Sequence, residues 1–154
     1  ERISFHLNDE DIDLIHLDPA HTDGDVVVYF RKANVYHMGD MFVTYGYPYI
    51  DYSSGGSING FITSLDKLLN MMDDSTKIIP GHGELCNKAD VKKFRDRLAD
   101  IRDQVAAALK KGKKPSEITG MGITDKYEAD WGKGFTKGKD FVLLIADNLM
   151  ATTR

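Results

Sequence analysis

Three short stretches of the sequence hold the side chains best suited to chemistry, and each places a histidine or an aspartate among turn-forming residues. The stretches are HTDGD, HMGD and PGHGE, which contain His21, Asp40 and His82. Imidazole and carboxylate groups that meet at one sheet edge are suitable ligands for a divalent metal such as zinc. Whether these three groups meet depends on the strands that carry them.

Two predicted strands carry the first two stretches. Apolar and β-branched residues over Asp25–Phe30 and Val35–Asp40, with a polar turn between them, indicate an antiparallel hairpin. The residue before the first strand and the residue after the second then lie at the same sheet edge, so His21 and Asp40 are expected to be neighbours. His82 follows the next strand along the chain. Parallel packing of that strand, with a helix as crossover, brings His82 to the same edge.

The rest of the chain predicts an α/β protein in which a mixed sheet is covered by helices on one face. A tryptophan and a phenylalanine, Trp131 and Phe135, are expected to anchor a glycine-rich loop to the core. The other predicted elements are a first hairpin of Arg2–Leu7 and Asp13–Leu17, a loop Met41–Gly56, a helix Ser57–Met72, a strand Ser75–Pro80, a helix Lys88–Lys111, a helical turn from Pro115, a surface loop Trp131–Asp140 and a helix Asp140–Met150.

Each candidate ligand also has a simpler structural interpretation. A single loop histidine such as His21 is more often solvated or capping than metal-bound, and Asp40 follows a glycine, where aspartate commonly caps a turn. Asp23 and Asp25 are interpreted as turn-forming residues that could also orient the His21 ring. The remaining candidates are interpreted as structural; they are His6, His16, His37 and Glu84.

Composition limits the function classes. The chain has 154 residues, a formal net charge of −4 and a pI of about 5.7, which gives no general attraction to nucleic acid. No apolar run approaches the roughly 20 residues that span a bilayer, so no membrane partner is expected. The single Cys86 excludes an internal disulfide and a multi-cysteine zinc site, and it leaves the compartment open between periplasm and cytoplasm.

The three stretches in their order along the chain carry a family resemblance. HTDGDVVVYF, VYHMGDMF and KIIPGHGE, followed by WGKGF and a last helix, resemble the second half of a metallo-β-lactamase-superfamily hydrolase. The resemblance implies half of an αβ/βα sandwich with a two-metal site at one edge, holding zinc or alternatively iron or manganese. It implies that His21 belongs to the first metal position, that Asp40 bridges the metals or serves the second, and that His82 belongs to the second.

Two departures from the family pattern shape the functional expectation. Asp40 stands where class B1 β-lactamases carry a cysteine, which favours hydrolysis of an ester, thioester, lactone or amide over β-lactam specificity. The family's His-x-His-x-Asp-His stretch does not occur, and the chain begins at Glu1. Residues 1–154 are therefore expected to be the C-terminal portion of such a domain and inactive alone. The expected partners are a small-molecule substrate and either the missing N-terminal half or a second copy, packed on an uncovered sheet face.

Two other function classes remain open from the sequence. The same three residues could bind metal loosely, or only stabilise loops, in a non-catalytic binding or interaction module. Related domains also occur in flavodiiron-type oxidoreductases, although those need a glutamate in the absent half and a flavin domain. An upstream His-x-His-x-Asp-His stretch would favour the hydrolase.

Overall fold

A computed structural model describes residues 1–151 of the chain, in which one six-stranded mixed sheet carries a layer of helices. The strands lie in the sheet in the order in which they occur along the chain. They are β1 (Arg2–Leu7), β2 (Glu10–His16), β3 (Val26–Phe30), β4 (Val35–His37), β5 (Lys77–Ile79) and β6 (Cys86–Asn87), and the helices are α1 (Ile58–Met71), α2 (Lys88–Lys110), α3 (Pro115–Ile118), α4 (Glu128–Trp131) and α5 (Gly138–Ala151).

The strand pairing confirms the predicted crossover. Strands β1 to β4 form an antiparallel meander, and β4 then pairs in parallel with β5, with Val35 opposite Lys77 and His37 opposite Ile79. Helix α1 makes the connection between them, as a parallel pair requires. The carboxyl ends of β4 and β5 therefore meet at one edge, which is the edge that carries Asp40 and His82.

The first hairpin turns more tightly than predicted. Asn8 and Asp9 both have left-handed backbone conformations, with φ of 51° and 61°. Asparagine and aspartate tolerate this region, and two such residues make the turn that best matches the twist of a hairpin. Strand β2 consequently begins at Glu10 and not at Asp13.

The helix layer covers one face of the sheet and encloses the core. Helix α1 is capped by Ser57, whose hydroxyl accepts a hydrogen bond from the Gly60 amide at 3.2 Å. Its apolar side, which includes Phe61 and Leu65, is fully buried against α2 and α5. The sheet contributes its own inward residues, such as Tyr36 and Ile78, at no more than 1% exposure. The apolar side chains of the helices and the inward side chains of the strands thus pack in one core.

The opposite sheet face is open. Because side chains alternate along a strand, the register places five half-exposed apolar residues on the face away from the helices. We call this set the open sheet face; it comprises Ile3, Phe5, Leu7, Val26 and Ile79, with 67, 44, 55, 42 and 37% exposure. The predicted fold class, a mixed sheet with helices on one face, is therefore confirmed.

Three local features differ from the sequence prediction. The two-residue strand β6 and the four-residue helix α4 are too short to give a periodic signal. Trp131 is buried as predicted, but Phe135 is 87% exposed, so the prediction that it anchors its loop to the core is wrong.

Among residues 1–151, none of the helices has both the length and the apolar character needed to cross a membrane.

Candidate functional site

The three predicted site residues lie around one carboxylate. His21 Nε2 is 3.6 Å from Asp40 Oδ2, and His82 Nε2 is 3.4 Å from Asp40 Oδ1. The two imidazoles thus face the two different oxygens of Asp40. We call these three residues the His–Asp–His trio. Its side chains are accessible, at 20% for His21, 41% for Asp40 and 62% for His82.

The backbone of the loop after β4 orients His21. The His21 Nδ1 proton is donated to the carbonyl of Tyr49 at 2.8 Å, since a carbonyl oxygen can only accept. In the neutral ring this leaves the lone pair on Nε2, the nitrogen that faces Asp40. The Asp51 amide donates to the His21 carbonyl at 2.8 Å and fixes the backbone of the same residue. These two hydrogen bonds hold the His21 ring so that Nε2 faces Asp40.

The turn after His21 is built by Asp25. Its carboxylate accepts from the Thr22 amide at 2.9 Å and from the Thr22 hydroxyl at 3.1 Å. This is the turn-forming role that the sequence predicted for Asp25. The Asp23 carbonyl accepts a hydrogen bond from the His16 ring at 2.8 Å, which ties the loop to the end of β2.

Asp40 and His82 come together because two loops approach with almost no space between them. The Gly81 amide donates to the carbonyls of Gly39 and Phe42, at 2.8 and 3.0 Å. A Cβ atom on Gly81 would lie 2.5 Å from Asp40 Oδ1 and 2.6 Å from the Gly39 carbonyl oxygen. Only glycine permits this approach, which explains the residue before His82 in the PGHGE stretch.

His82 itself is fixed through its backbone. The Thr44 amide donates to the His82 carbonyl at 3.1 Å, and Val43 and His82 form an isolated parallel bridge. The imidazole remains more than half exposed. His82 therefore combines a held backbone with an accessible ring.

The other histidines lie outside the trio, as predicted. The His37 ring accepts from the Gly39 amide at 3.3 Å and lies on the sheet face away from the helices. His6 pairs with Asp11 at 2.9 Å, beside the first hairpin turn. These contacts support the structural interpretation of both.

Two aromatic residues beside the trio were not predicted. Tyr49 places its ring edge-on to the His21 ring, with centroids 6.2 Å apart, and Tyr45 places its ring edge-on to His82 at 5.5 Å. Burial, and secondarily the negative charge of Asp40, raise the pKa of the Tyr45 phenol, which stays protonated at neutral pH. The sequence signal that could have found them is the alternation in YGYPY.

The trio divides into two pairs and does not surround a single point. Within residues 1–151, no group of three or more histidine, cysteine, aspartate or glutamate side chains is arranged to hold one metal ion. Each imidazole meets a different carboxylate oxygen at a distance longer than a hydrogen bond. One imidazole nitrogen and one carboxylate oxygen are thus available on each side of Asp40.

Solved structures with the same fold are found, although the chain matches no protein-family model and no curated protein sequence. A metallo-β-lactamase from Pontibacter korlensis is 13% identical with a TM-score of 0.56, covering 65% of this chain and 46% of its own. The B3 metallo-β-lactamase BLEG-1 is 21% identical with a TM-score of 0.51, covering 62% and 44%. A double mutant of the sec-alkyl sulfatase PisA1 is 12% identical with a TM-score of 0.73, covering 97% and 25%.

These likenesses define the class of fold. The six-stranded mixed sheet with its helix layer is part of the metallo-β-lactamase fold, as the resemblance of the sequence implied. The chain spans less than half the length of each of these three proteins. At identities of 12 to 21%, the comparison establishes the fold, and the chemistry has to be argued from the trio.

Proposed function

We propose that this chain supplies one part of the two-metal site of a zinc-dependent hydrolase. The observation that carries the proposal is the convergence of His21 and His82 on opposite oxygens of Asp40. An aspartate in this position can contribute one oxygen to each of two metal ions. Each position would then take one imidazole nitrogen and one carboxylate oxygen from this chain.

The donor atoms of the trio fit metal ions better than they fit one another. In its neutral form, with the Nδ1 proton donated to the Tyr49 carbonyl, His21 would turn an acceptor toward a carboxylate oxygen, which is also an acceptor. Two acceptors that face each other at 3.6 Å do not form a hydrogen bond, and a metal ion or a proton between them would stabilise the pair. Imidazole and carboxylate together suit zinc, and they also suit iron and manganese.

The residues of this chain would prepare the site for chemistry on a carbonyl. When bound, zinc would polarise the carbonyl of an ester, thioester, lactone or amide and lower the pKa of a water molecule so that hydroxide forms near neutral pH. The Tyr49 carbonyl fixes the His21 tautomer, which is the usual way in which a second residue orients a metal-binding imidazole. Gly81 sets the separation between Asp40 and the His82 loop.

The 154-residue chain alone is expected to hydrolyse such substrates slowly or not at all. Two protein ligands at each position are fewer than the three that a catalytic zinc usually has. The remaining ligands would come from another polypeptide segment. The expected activity of the isolated chain is therefore near the uncatalysed rate, even when zinc is present.

Zinc content provides the direct test of the trio. We expect purified wild-type protein, dialysed against a fixed concentration of zinc, to bind more zinc by elemental analysis than His82→Ala treated in the same way. His37→Ala is the matched control, because His37 is also exposed but lies outside the trio, on the sheet face away from the helices. Equal zinc in wild type and His82→Ala would show that His82 is not a ligand.

A non-catalytic metal-binding module is the second candidate. The observation that favours it is the division of the trio into two incomplete pairs, together with the 62% exposure of His82. The two candidate functions predict different results when a polypeptide carrying His-x-His-x-Asp-His is added to the zinc-loaded chain. A gain of esterase activity would support the hydrolase, whereas unchanged metal binding without activity would support the module.

We also propose that a second copy of the chain covers the open sheet face of the isolated protein. The face is apolar across several strands, and two such faces can pack about 10 Å apart as a sandwich. Light scattering at rising concentration should show a dimer, and Phe5→Lys should shift it toward monomer. Phe135→Lys, which alters an exposed loop, should not. A monodisperse wild-type monomer would contradict the proposal.

A further inference from the structure

The YGYPY stretch alternates between outward and inward tyrosines. Tyr47 is completely buried, whereas Tyr45 and Tyr49 on either side are 40% and 47% exposed. Exposed aromatic rings leave a large apolar area in water. Two exposed rings on one short segment, both beside the His–Asp–His trio, are therefore candidates for a role in ligand binding.

The segment is held rigidly by its central tyrosine. The Tyr47 hydroxyl donates to Glu128 Oε1 at 2.8 Å, and its ring packs edge-on against Trp131 with centroids 5.2 Å apart. Tyr47 also forms an isolated antiparallel bridge with Thr136. The two outer tyrosines are thus carried on a backbone that is anchored to the core, so that little backbone ordering is needed when a ligand binds.

Each outer ring contacts a different imidazole of the trio. Tyr49 contacts the ring of His21, which faces Asp40 Oδ2, and Tyr45 contacts the ring of His82, which faces Asp40 Oδ1. Each tyrosine therefore accompanies one of the two imidazole–carboxylate pairs. A substrate group bound at either pair would therefore lie close to one of these rings.

We propose that Tyr45 and Tyr49 determine substrate specificity by binding an uncharged aryl or alkyl group next to the reacting carbonyl, an inference that rests on the proposed hydrolase function. Aromatic rings gain free energy from covering such a group, in proportion to the apolar area removed from water. Within residues 1–151, no lysine or arginine forms an ion pair with Asp40, so bound zinc would supply the positive charge at the trio and the two rings would contact the uncharged part of the substrate.

A pair of hydroxamates tests this role without requiring turnover. Acetohydroxamate and benzohydroxamate share one zinc-binding group and differ in the phenyl ring. By calorimetry on the zinc-loaded chain, we expect benzohydroxamate to bind about tenfold more tightly. In the double variant Tyr45→Ala/Tyr49→Ala, which keeps the backbone carbonyl of position 49, this preference, measured as the ratio of the two affinities on zinc-loaded protein, should fall to about twofold or less. Phe5→Ala, which removes an exposed ring on β1, should keep the preference.

The outcomes separate the two proposals. Loss of the phenyl preference in the double variant, with zinc retained, supports the role of the tyrosines. An unchanged preference overturns that role and leaves the hydrolase proposal standing. If the chain binds no zinc even at millimolar zinc, the trio does not supply zinc ligands and the hydrolase proposal fails, and benzamide is then tested on the metal-free protein by saturation-transfer NMR. Signal from the benzamide ring that the double variant loses would still support the tyrosine contact, and its absence from the wild type would overturn it.

Discussion

Replacing Asp13 with alanine should lower the free energy of unfolding by about 2–3 kcal/mol. The Asp13 carboxylate has no exposed surface and accepts two hydrogen bonds from Arg31, both at 2.7 Å, and one from Ser4 at 2.5 Å, with Arg2 also in contact. Removing it would leave two guanidinium groups beside each other without a counter-ion. The value is below the 3–5 kcal/mol typical of a deeply buried pair, because both arginines are more than 40% exposed and can be solvated.

The effect should depend on pH in a defined direction. The Arg31 hydrogen bonds, opposed by burial and supported by Ser4 and Arg2, hold the pKa of Asp13 well below its usual range. A carboxyl whose folded-state pKa is depressed stabilises the protein above its unfolded pKa of about 3.9, and the contribution is lost as the pH falls further. Urea unfolding should therefore separate wild type and Asp13→Ala clearly at pH 7 and less at pH 3.

A second aspartate gives the matched control for this experiment. Asp9 also pairs with a cation, Lys32, at 2.8 Å, but its side chain is 92% exposed. Asp9→Ala is expected to change the stability by less than about 1 kcal/mol at either pH. Equal stability of Asp13→Ala and wild type at pH 7 would show that the cluster is solvated in the folded protein and contributes nothing.

The meeting of the trio could be predicted because it follows from topology. Once two hairpin strands and one parallel neighbour are recognised from their apolar residues, the loops that carry His21, Asp40 and His82 must lie at one sheet edge. This step needs no knowledge of side-chain packing. The division of the trio into two pairs is different, since it depends on which carboxylate oxygen each ring faces and on a close glycine contact at position 81.

The tyrosines show why other features escaped prediction. Whether a ring in the loop Met41–Gly56 lies inward or outward is decided by Glu128 and Trp131, which are more than 80 residues away along the chain. Phe135 was predicted to be buried and is exposed, because the sequence around an aromatic residue in a glycine-rich loop does not distinguish exposure from burial. Long-range contacts settle these positions, and periodicity reports only local ones.

Asp40→Ala should weaken zinc binding more than any other single substitution in the trio. Structural zinc sites gain roughly 10–16 kcal/mol from four ligands, which is about 3 kcal/mol, or about 100-fold in affinity, for each ligand. His21→Ala and His82→Ala each remove a ligand from one proposed position. Asp40→Ala removes an oxygen from both, because its two oxygens face different imidazoles.

A titration against a chromophoric zinc chelator distinguishes this bridging role from a simple ligand. Each histidine variant should lose one class of zinc site, by about 100-fold, and keep the other, whereas Asp40→Ala should lose both. His37→Ala should bind zinc as the wild type does. Circular dichroism of every variant checks that it is folded. If Asp40→Ala lost only one class, Asp40 would serve a single metal position, and the two oxygens at 3.4 and 3.6 Å from the imidazoles would have unequal roles.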